Sequence, residues 1–318
     1  MKRLCALFWV DDPAAYRDAM TAAGLAGRIQ AVFLKRGEMP PGRILESAEL
    51  LAGWPPAPGA LARMPRLRWI QSLSVGMSTW LKRSDLRQEV MLTCARGIHR
   101  VQMPENILGA LFHVTKHFSE HAANQAASRW ARRVSEPLAG KTLGILGLGA
   151  IGTELAAKAA ALEIRVVGTK RIEQPLAGID RVRPPEATDE ILAESDYVVL
   201  LLPDTRETEG FMDARRFAAM KRGAWLLNFA RGALVVDKDL IDAVTTGTIA
   251  GAVLDVFREE PLPEAHPFWT TPGIVITPHI GGGHPRRDAI VAGLYVENLR
   301  RYLGGEPLLM QVDREKGY

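Results

Sequence analysis

Apolar residues fall along this chain in two rhythms. Short runs rich in apolar residues, of strand length, recur at 4–10, 30–34, 68–73 and 90–94. Between them, 14–23 and the segments around 60–64 and 79–86 return an apolar residue every three or four positions, as a helix with one buried face does. Strands that alternate with helices imply a parallel sheet covered on both faces, so residues 1 to about 103 predict such a sheet with crossover helices. The loop Trp54-Pro55-Pro56-Ala57-Pro58-Gly59 within it is stiffened by its prolines.

A long helix is predicted from Pro104, a residue suited to the first helical position, on to about Arg132, with Glu105 complementing the helix dipole. His113, His117 and His121 recur every four residues and would share one face of it. Such a stripe suits a metal, but it also arises wherever a helix has one polar face. No carboxylate or cysteine accompanies it in a ligand pattern, so no metal site is expected. From Lys141 onward six strands are predicted, at 142–146, 164–167, 197–202, 224–229, 249–255 and 274–277, with helices at 151–162, 214–220 and 238–244 among them. Six strands with crossovers make a dinucleotide-binding Rossmann sheet. A last helix at about 285–302 leads into a tail. The organisation expected is α/β with two parallel-sheet domains, 1–103 joined by 286–318, and a dinucleotide-binding 104–285.

At 318 residues the chain is too long for one core of ordinary size, which agrees with two domains. Its formal charge of +4 is spread along the chain, which argues against a nucleic-acid tail and suits a pocket for small anions. Cys5 and Cys94 offer neither a disulfide framework nor metal-ligand spacing. Lys2-Arg3 and the apolar run after them imitate a signal peptide. The run is short, meets Asp11-Asp12-Pro13 at once and lacks a small-residue cleavage site, so it is read as the first strand. No stretch approaches the ~20 apolar residues that span a bilayer. A cytoplasmic protein that binds neither membrane nor nucleic acid is expected.

The glycine-rich turn Gly147-Leu148-Gly149-Ala150-Ile151-Gly152 follows the run 142–146 and opens an alanine-rich helix, the context a dinucleotide fingerprint requires. Gly147 permits the tight turn, Gly149 lets a pyrophosphate approach the backbone, and Gly152 lets the helix pack closely on the sheet. The N–H groups around Ala150 and Ile151 would hold phosphate oxygens. An acid that binds the adenine ribose normally ends the second strand. Here Val167-Gly168-Thr169-Lys170-Arg171 carries two cations instead, which suit a 2′-phosphate, although a solvated strand end reads the same way. NADP(H) is therefore favoured, with NAD(H) as the alternative.

Three further segments each follow a predicted strand. Arg231 lies past the fourth, between Asn228-Phe229-Ala230 and Gly232. A guanidinium at the carboxyl edge of an open sheet binds a carboxylate through two parallel hydrogen bonds and polarises an adjacent ketone. Asp255 ends the fifth strand, placed to meet a nicotinamide carboxamide. His279 follows the sixth, in Thr277-Pro278-His279-Ile280-Gly281, and near neutral pH an imidazole gives and takes the proton that accompanies hydride transfer. Glu260, in Arg258-Glu259-Glu260-Pro261, would orient that ring and favour its protonated form if close in space.

These residues resemble the D-isomer-specific 2-hydroxyacid dehydrogenase family. The matching segments are 147–152, Leu202-Pro203 with Thr208, 228–232, Leu254-Asp255-Val256-Phe257 with Glu260-Pro261-Leu262-Pro263, and 277–281, which span most of the chain. Trp54-Pro55-Pro56, Leu73-Ser74-Val75-Gly76-Met77 and the ending Gly305-Glu306-Pro307 with Gln311-Val312-Asp313-Arg314 are similar to the glyoxylate/hydroxypyruvate reductase A type within that family. The resemblance implies one Rossmann and one flavodoxin-like domain, an active site in the interdomain cleft, and a homodimer. It implies that Arg231 binds substrate, that Glu260 and His279 form the acid/base pair, and that Asp255 contacts nicotinamide. Trp54 and the backbone amides near Val75 and Gly76 would hold the substrate from the first domain. Along the cofactor would lie the glycine turn, Thr169, Lys170, Arg171, Leu202, Pro203, Thr208, Phe229, Ala230, Arg231, His279, Gly281 and Gly282. Two places depart from the family's pattern. Asn106 stands where an aromatic often follows the glutamate of the long helix, and Gly282-Gly283-His284 replaces the usual small-residue run after His279.

The function expected is NAD(P)H-dependent reduction of a small anionic 2-oxo acid, such as glyoxylate or hydroxypyruvate, to the D-2-hydroxy acid, with His279 as proton donor. One alternative keeps this chemistry on a bulkier or phosphorylated substrate, and the first domain has no extra cluster of cations for a phosphate. Another is a cofactor-sensing scaffold like the family's transcriptional corepressors, and the chain shows no clear partner-docking extension.

Overall fold

The computed structural model describes residues 3–35, 37–315 and 317, so Lys2 of the signal-like start lies outside the described residues. The chain divides into two compact units, Met1–Ile98 with His284–Tyr318, and His99–Gly283. Each is a parallel α/β sheet.

The first unit holds β1 (Leu4–Trp9), β2 (Ile29–Leu34), β3 (Leu50–Gly53), β4 (Trp69–Ser72) and β5 (Met91–Thr93), in the order β2-β1-β3-β4-β5. That is the flavodoxin-like order. Successive residues of β1 serve opposite faces: Ala6 and Phe8 join one buried cluster, Leu7 and Trp9 the other. The strand β3 and the helix Gly42–Ser47 before it were absent from the sequence expectation. Four residues buried on both faces carry no alternation, so an apolar stretch this short cannot be told from a helix segment by its pattern. The C-terminal helix Arg287–Gly304 returns to this unit and buries Val291, Ala292, Tyr295 and Leu299 in the first of those clusters. The tail then runs beside β5, where Cys94 N donates to Met310 O at 3.0 Å and Val312 N to Leu92 O at 2.8 Å.

The second unit holds β6 (Thr142–Leu146), β7 (Arg165–Thr169), β8 (Arg181–Arg183), β9 (Tyr197–Leu200), β10 (Trp225–Asn228), β11 (Gly251–Leu254) and β12 (Ile274–Ile276), in the order β12-β11-β10-β9-β6-β7-β8. The six strands expected are therefore seven. The addition, β8, reads Arg-Val-Arg and offers one apolar residue to a pattern search. It lies at the sheet edge, where charged side chains are the rule because they discourage pairing with another chain. Arg231, Asp255 and His279 accordingly follow the fifth, sixth and seventh strands of this sheet, not the fourth, fifth and sixth. The two faces bury separate clusters, Val198 and Leu200 in one, Tyr197 and Val199 in the other. Each such side chain contributes about 1.5–3 kcal/mol on burial.

The single helix expected over 104–132 is two helices, Gln102–Thr115 and Phe118–Ala126. His117 adopts left-handed backbone, φ 57°, and ends the helical ladder there, a conformation histidine tolerates better than most residues. The three histidines thus do not share one continuous helix, and His113 Nε2 instead bonds the Ser119 hydroxyl at 2.7 Å. Among the described residues no group of three or more His, Cys, Asp or Glu could hold a metal. No described helix is long and apolar enough to cross a membrane.

Candidate active site

The glycine turn works by exclusion. Gly147 has φ 112°, and a Cβ built on it would lie 2.8 Å from the Leu201 carbonyl carbon. A Cβ on Gly152 would lie 2.5 Å from Gly147 O, so the helix Ala150–Ala160 meets β6 only because that residue lacks a side chain. At Gly149 a Cβ would meet nothing within 4 Å, and the helix begins there without any side-chain cap. The first N–H groups of a helix have no partner within it, so the open approach over Gly149 leads to ready phosphate donors on Ala150 and Ile151.

Beside this turn, Thr169 is buried and Lys170 bends back: its Nζ donates to Leu148 O at 2.9 Å. Arg171 is exposed at the strand end. The nearest following acid, Glu173, is held by Arg183 of β8 at 2.9 Å. The loop after β9 starts at Leu201, two residues earlier than expected. In it the Thr208 hydroxyl donates to Pro203 O at 2.6 Å and accepts from Thr205 N at 2.9 Å, which shapes the segment from Pro203 to Thr208.

Arg231 is placed by its neighbours. Phe229 and Ala230 are buried, and Asn228, 1% exposed, closes the turn by accepting from Ala230 N at 3.1 Å and donating to Arg231 O at 2.9 Å. A Cβ on Gly232 would overlap the Phe257 carbonyl carbon. No other residue lets the Arg231 turn lie against the Phe257–Arg258 backbone. Arg258 then ties the two segments, its guanidinium donating to Ala233 O at 3.1 Å and Val235 O at 2.7 Å. Behind it stands Asp237, whose carboxyl is pushed up by burial and drawn back by Arg258 and His266. The sequence expectation gave Arg258 no role, because an arginine that serves backbone carbonyls has no pattern of its own.

Glu260 and His279 lie past the next two strand ends. His279 Nδ1 and Glu260 Oε2 are 2.6 Å apart, and the other carboxylate oxygen accepts from Phe257 N at 2.9 Å, so backbone orients the glutamate that orients the ring. His279 has φ 52°. Asp255, 1% exposed, explains that backbone: Oδ1 accepts from the Thr277 hydroxyl at 2.6 Å and from Ile280 N at 2.9 Å, and Oδ2 accepts from Gly281 N at 2.8 Å. Gly281 is again a matter of space, since its Cβ would lie 2.6 Å from Asp255 Oδ2 and 2.7 Å from the Phe229 ring. Both Asp255 oxygens are thus engaged by the turn that carries His279. Thr277, the hydroxyl donor, was in the motif but had no assigned role.

In the first unit, Trp54 follows β3, and Val75 and Gly76 follow the neighbouring β4. The Ser74 hydroxyl donates to Gly76 O at 2.6 Å and shapes their turn. The Arg287 guanidinium stands 4.4 Å from the Trp54 ring centroid and donates to Leu73 O, which joins the two loops.

Residues 108–281 match the family model of the D-isomer specific 2-hydroxyacid dehydrogenase NAD binding domain. The chain is 31% identical over 272 residues to a glyoxylate/hydroxypyruvate reductase A of Photorhabdus laumondii, covering 83% of this chain and 86% of that protein. A D-isomer specific 2-hydroxyacid dehydrogenase of Xanthobacter autotrophicus, solved with NADPH and MES, superposes with a TM-score of 0.87 at 31% identity over 100% of both chains. An NADPH-dependent glyoxylate/hydroxypyruvate reductase of Sinorhizobium meliloti, solved with NADP and sulfate, superposes with a TM-score of 0.86 at 25% identity, covering 99% of this chain and 100% of that one.

The Asp255 arrangement yields a test that needs no substrate. Asp255→Ala strands two backbone N–H groups and the Thr277 hydroxyl, and is expected to cost about 2–3 kcal/mol of unfolding free energy. Amide exchange at Ile280 and Gly281 should rise well beyond that of β6. Protection that persists at both amides would show that another group holds the turn.

Proposed function

This chain belongs to the D-isomer specific 2-hydroxyacid dehydrogenase family, and from that premise we propose that it reduces a small 2-oxo acid, glyoxylate or hydroxypyruvate, to the D-2-hydroxy acid. The observation that carries the reading is the 2.6 Å contact of His279 with Glu260, beside the Arg231 turn that Gly232 lets press on Phe257. With Nδ1 committed to Glu260, Nε2 is the ring atom left for the substrate, and the side chain, 49% exposed, is open to one.

The glycine turn fits a dinucleotide, since Gly149 leaves a clear approach to the N–H groups of Ala150 and Ile151. A nicotinamide held there would supply a hydride to the 2-oxo carbon. Arg231 binds the substrate carboxylate and draws electron density from the ketone oxygen. His279 Nε2 gives its proton to that oxygen as the alkoxide charge develops, and Glu260 stabilises the ring while it is charged. Asp255 acts through the backbone of the turn. Trp54, Val75 and Gly76 are assigned to substrate binding, and the protein works as a homodimer in the cytoplasm.

For the cofactor, NADPH is preferred. The strand end lacks the acid that would bind an unphosphorylated ribose, Glu173 is taken by Arg183, and Arg171 is exposed just past the strand end. Two relatives of known structure carry NADPH or NADP. Lys170, tied to Leu148 O, supports the glycine turn more than it reads the phosphate.

His279→Ala should lower kcat by about 10²–10⁴ while the KM for the dinucleotide barely changes. Arg231→Lys should raise KM and depress kcat together, because an ammonium cannot reproduce the planar fork. Near-normal turnover in either variant would remove that residue from the mechanism.

The cofactor preference should be about 5- to 150-fold in kcat/KM for NADPH over NADH, the effect of ~1–3 kcal/mol. Arg171→Ala should erase most of it with NADH kinetics nearly unchanged, whereas Lys170→Ala should weaken both cofactors. Equal kcat/KM for the two dinucleotides in the unmutated protein would contradict the 2′-phosphate assignment.

A further inference from the structure

The turn that carries His279 is bonded from two sides. Asp255 takes its N–H groups, and its carbonyls are met by Asn106, on the helix Gln102–Thr115. Asn106 Nδ2 donates to Gly281 O at 2.9 Å and to Ile280 O at 3.3 Å. Only the amide nitrogen can face two carbonyls, so these partners also fix which way the amide points. A Cβ on Gly282 would lie 2.8 Å from His99 Nδ1, so the His99 ring occupies the space a side chain there would need. His99 O accepts from Met103 N at 3.0 Å at the start of the same helix. The two departures from the family's pattern, Asn106 and the glycine run, are therefore one feature: the helix approaches the turn closely, and the asparagine bonds what the glycines expose.

We propose that Asn106 is a positioning residue for the proton transfer, holding the Ile280–Gly281 backbone so that His279 stays against Glu260. The inference rests on the reductase reading above for the role of His279. A side chain that packed without donating would take from Gly281 O its 2.9 Å partner and leave Ile280 O with only its bond from Gly283 N at 2.9 Å. A carboxylate of the same shape would set negative charge against both.

The test is Asn106→Asp, which keeps the shape and removes the donor, together with Asn106→Leu. Both should lower kcat by about 10- to 100-fold, the usual consequence of a displaced catalytic group. The KM for NADPH should stay within about twofold, because the glycine turn is untouched. Amide exchange at Ile280 and Gly281 should quicken in both variants while β6 is unchanged. Unaltered kcat in Asn106→Asp overturns the proposal. So does a fall in kcat matched by lost cofactor affinity and a lowered thermal midpoint, which would mark a role in general stability. The exchange arm needs no substrate: absence of 2-oxo acid turnover in the unmutated protein would defeat the reductase reading, whereas unchanged exchange at Ile280 and Gly281 defeats the role of Asn106.

Discussion

One buried carboxylate organises this site. Asp255 ends β11 with 1% of its surface exposed, and its hydrogen bonds come from a hydroxyl and two backbone N–H groups of the segment just past β12. Burying a carboxylate costs several kcal/mol unless such bonds replace its water. The chain after β12 is therefore drawn back over the strand end, and His279 takes left-handed backbone as a result. Its side chain is delivered to Glu260, which a backbone N–H at Phe257 already holds. The position of the His279 imidazole thus follows from where β11 places one acid.

Space does the rest. Gly232 and Gly281 sit where a Cβ would strike the Phe257 backbone and the Phe229 ring respectively. Removing two side chains lets three strand-end segments, those of Arg231, Glu260 and His279, crowd together at the carboxyl edge of β10, β11 and β12. Open α/β sheets bind ligands at that edge because parallel strands all present their loops there. The glycine turn after β6 uses the same logic to leave the approach over Gly149 open. Arginines that look solvated in the sequence, Arg258 above all, serve as braces between these segments.

Much of this was legible in the sequence because the chemistry demands particular residues next to particular strands. The run 142–146 followed by Gly147, Gly149 and Gly152 states both the strand and the turn. Arg231 before Gly232, and His279 before Gly281, are polar groups whose neighbours could be read as small for a reason. The failures have physical causes as well. β8 is too short and too charged to show a period, and β3 is buried on both faces. The break at His117 was hidden because the helical rhythm of the sequence carries on through it, while its cause is a local backbone choice. The work of Asn106 and Arg258 was invisible because both bond to backbone, which is the same at every position of a sequence.

We propose that this constellation reduces small 2-oxo acids. The most direct measurement is the rate at which the unmutated protein oxidises NADPH when glyoxylate, hydroxypyruvate and bulkier 2-oxo acids are added one at a time, with chiral analysis of any chiral product. Turnover is expected to depend on the added acid, fastest with glyoxylate or hydroxypyruvate, and to give the D-2-hydroxy acid wherever the product is chiral. Tight binding of NADPH with no oxidation by any member of the panel would contradict it.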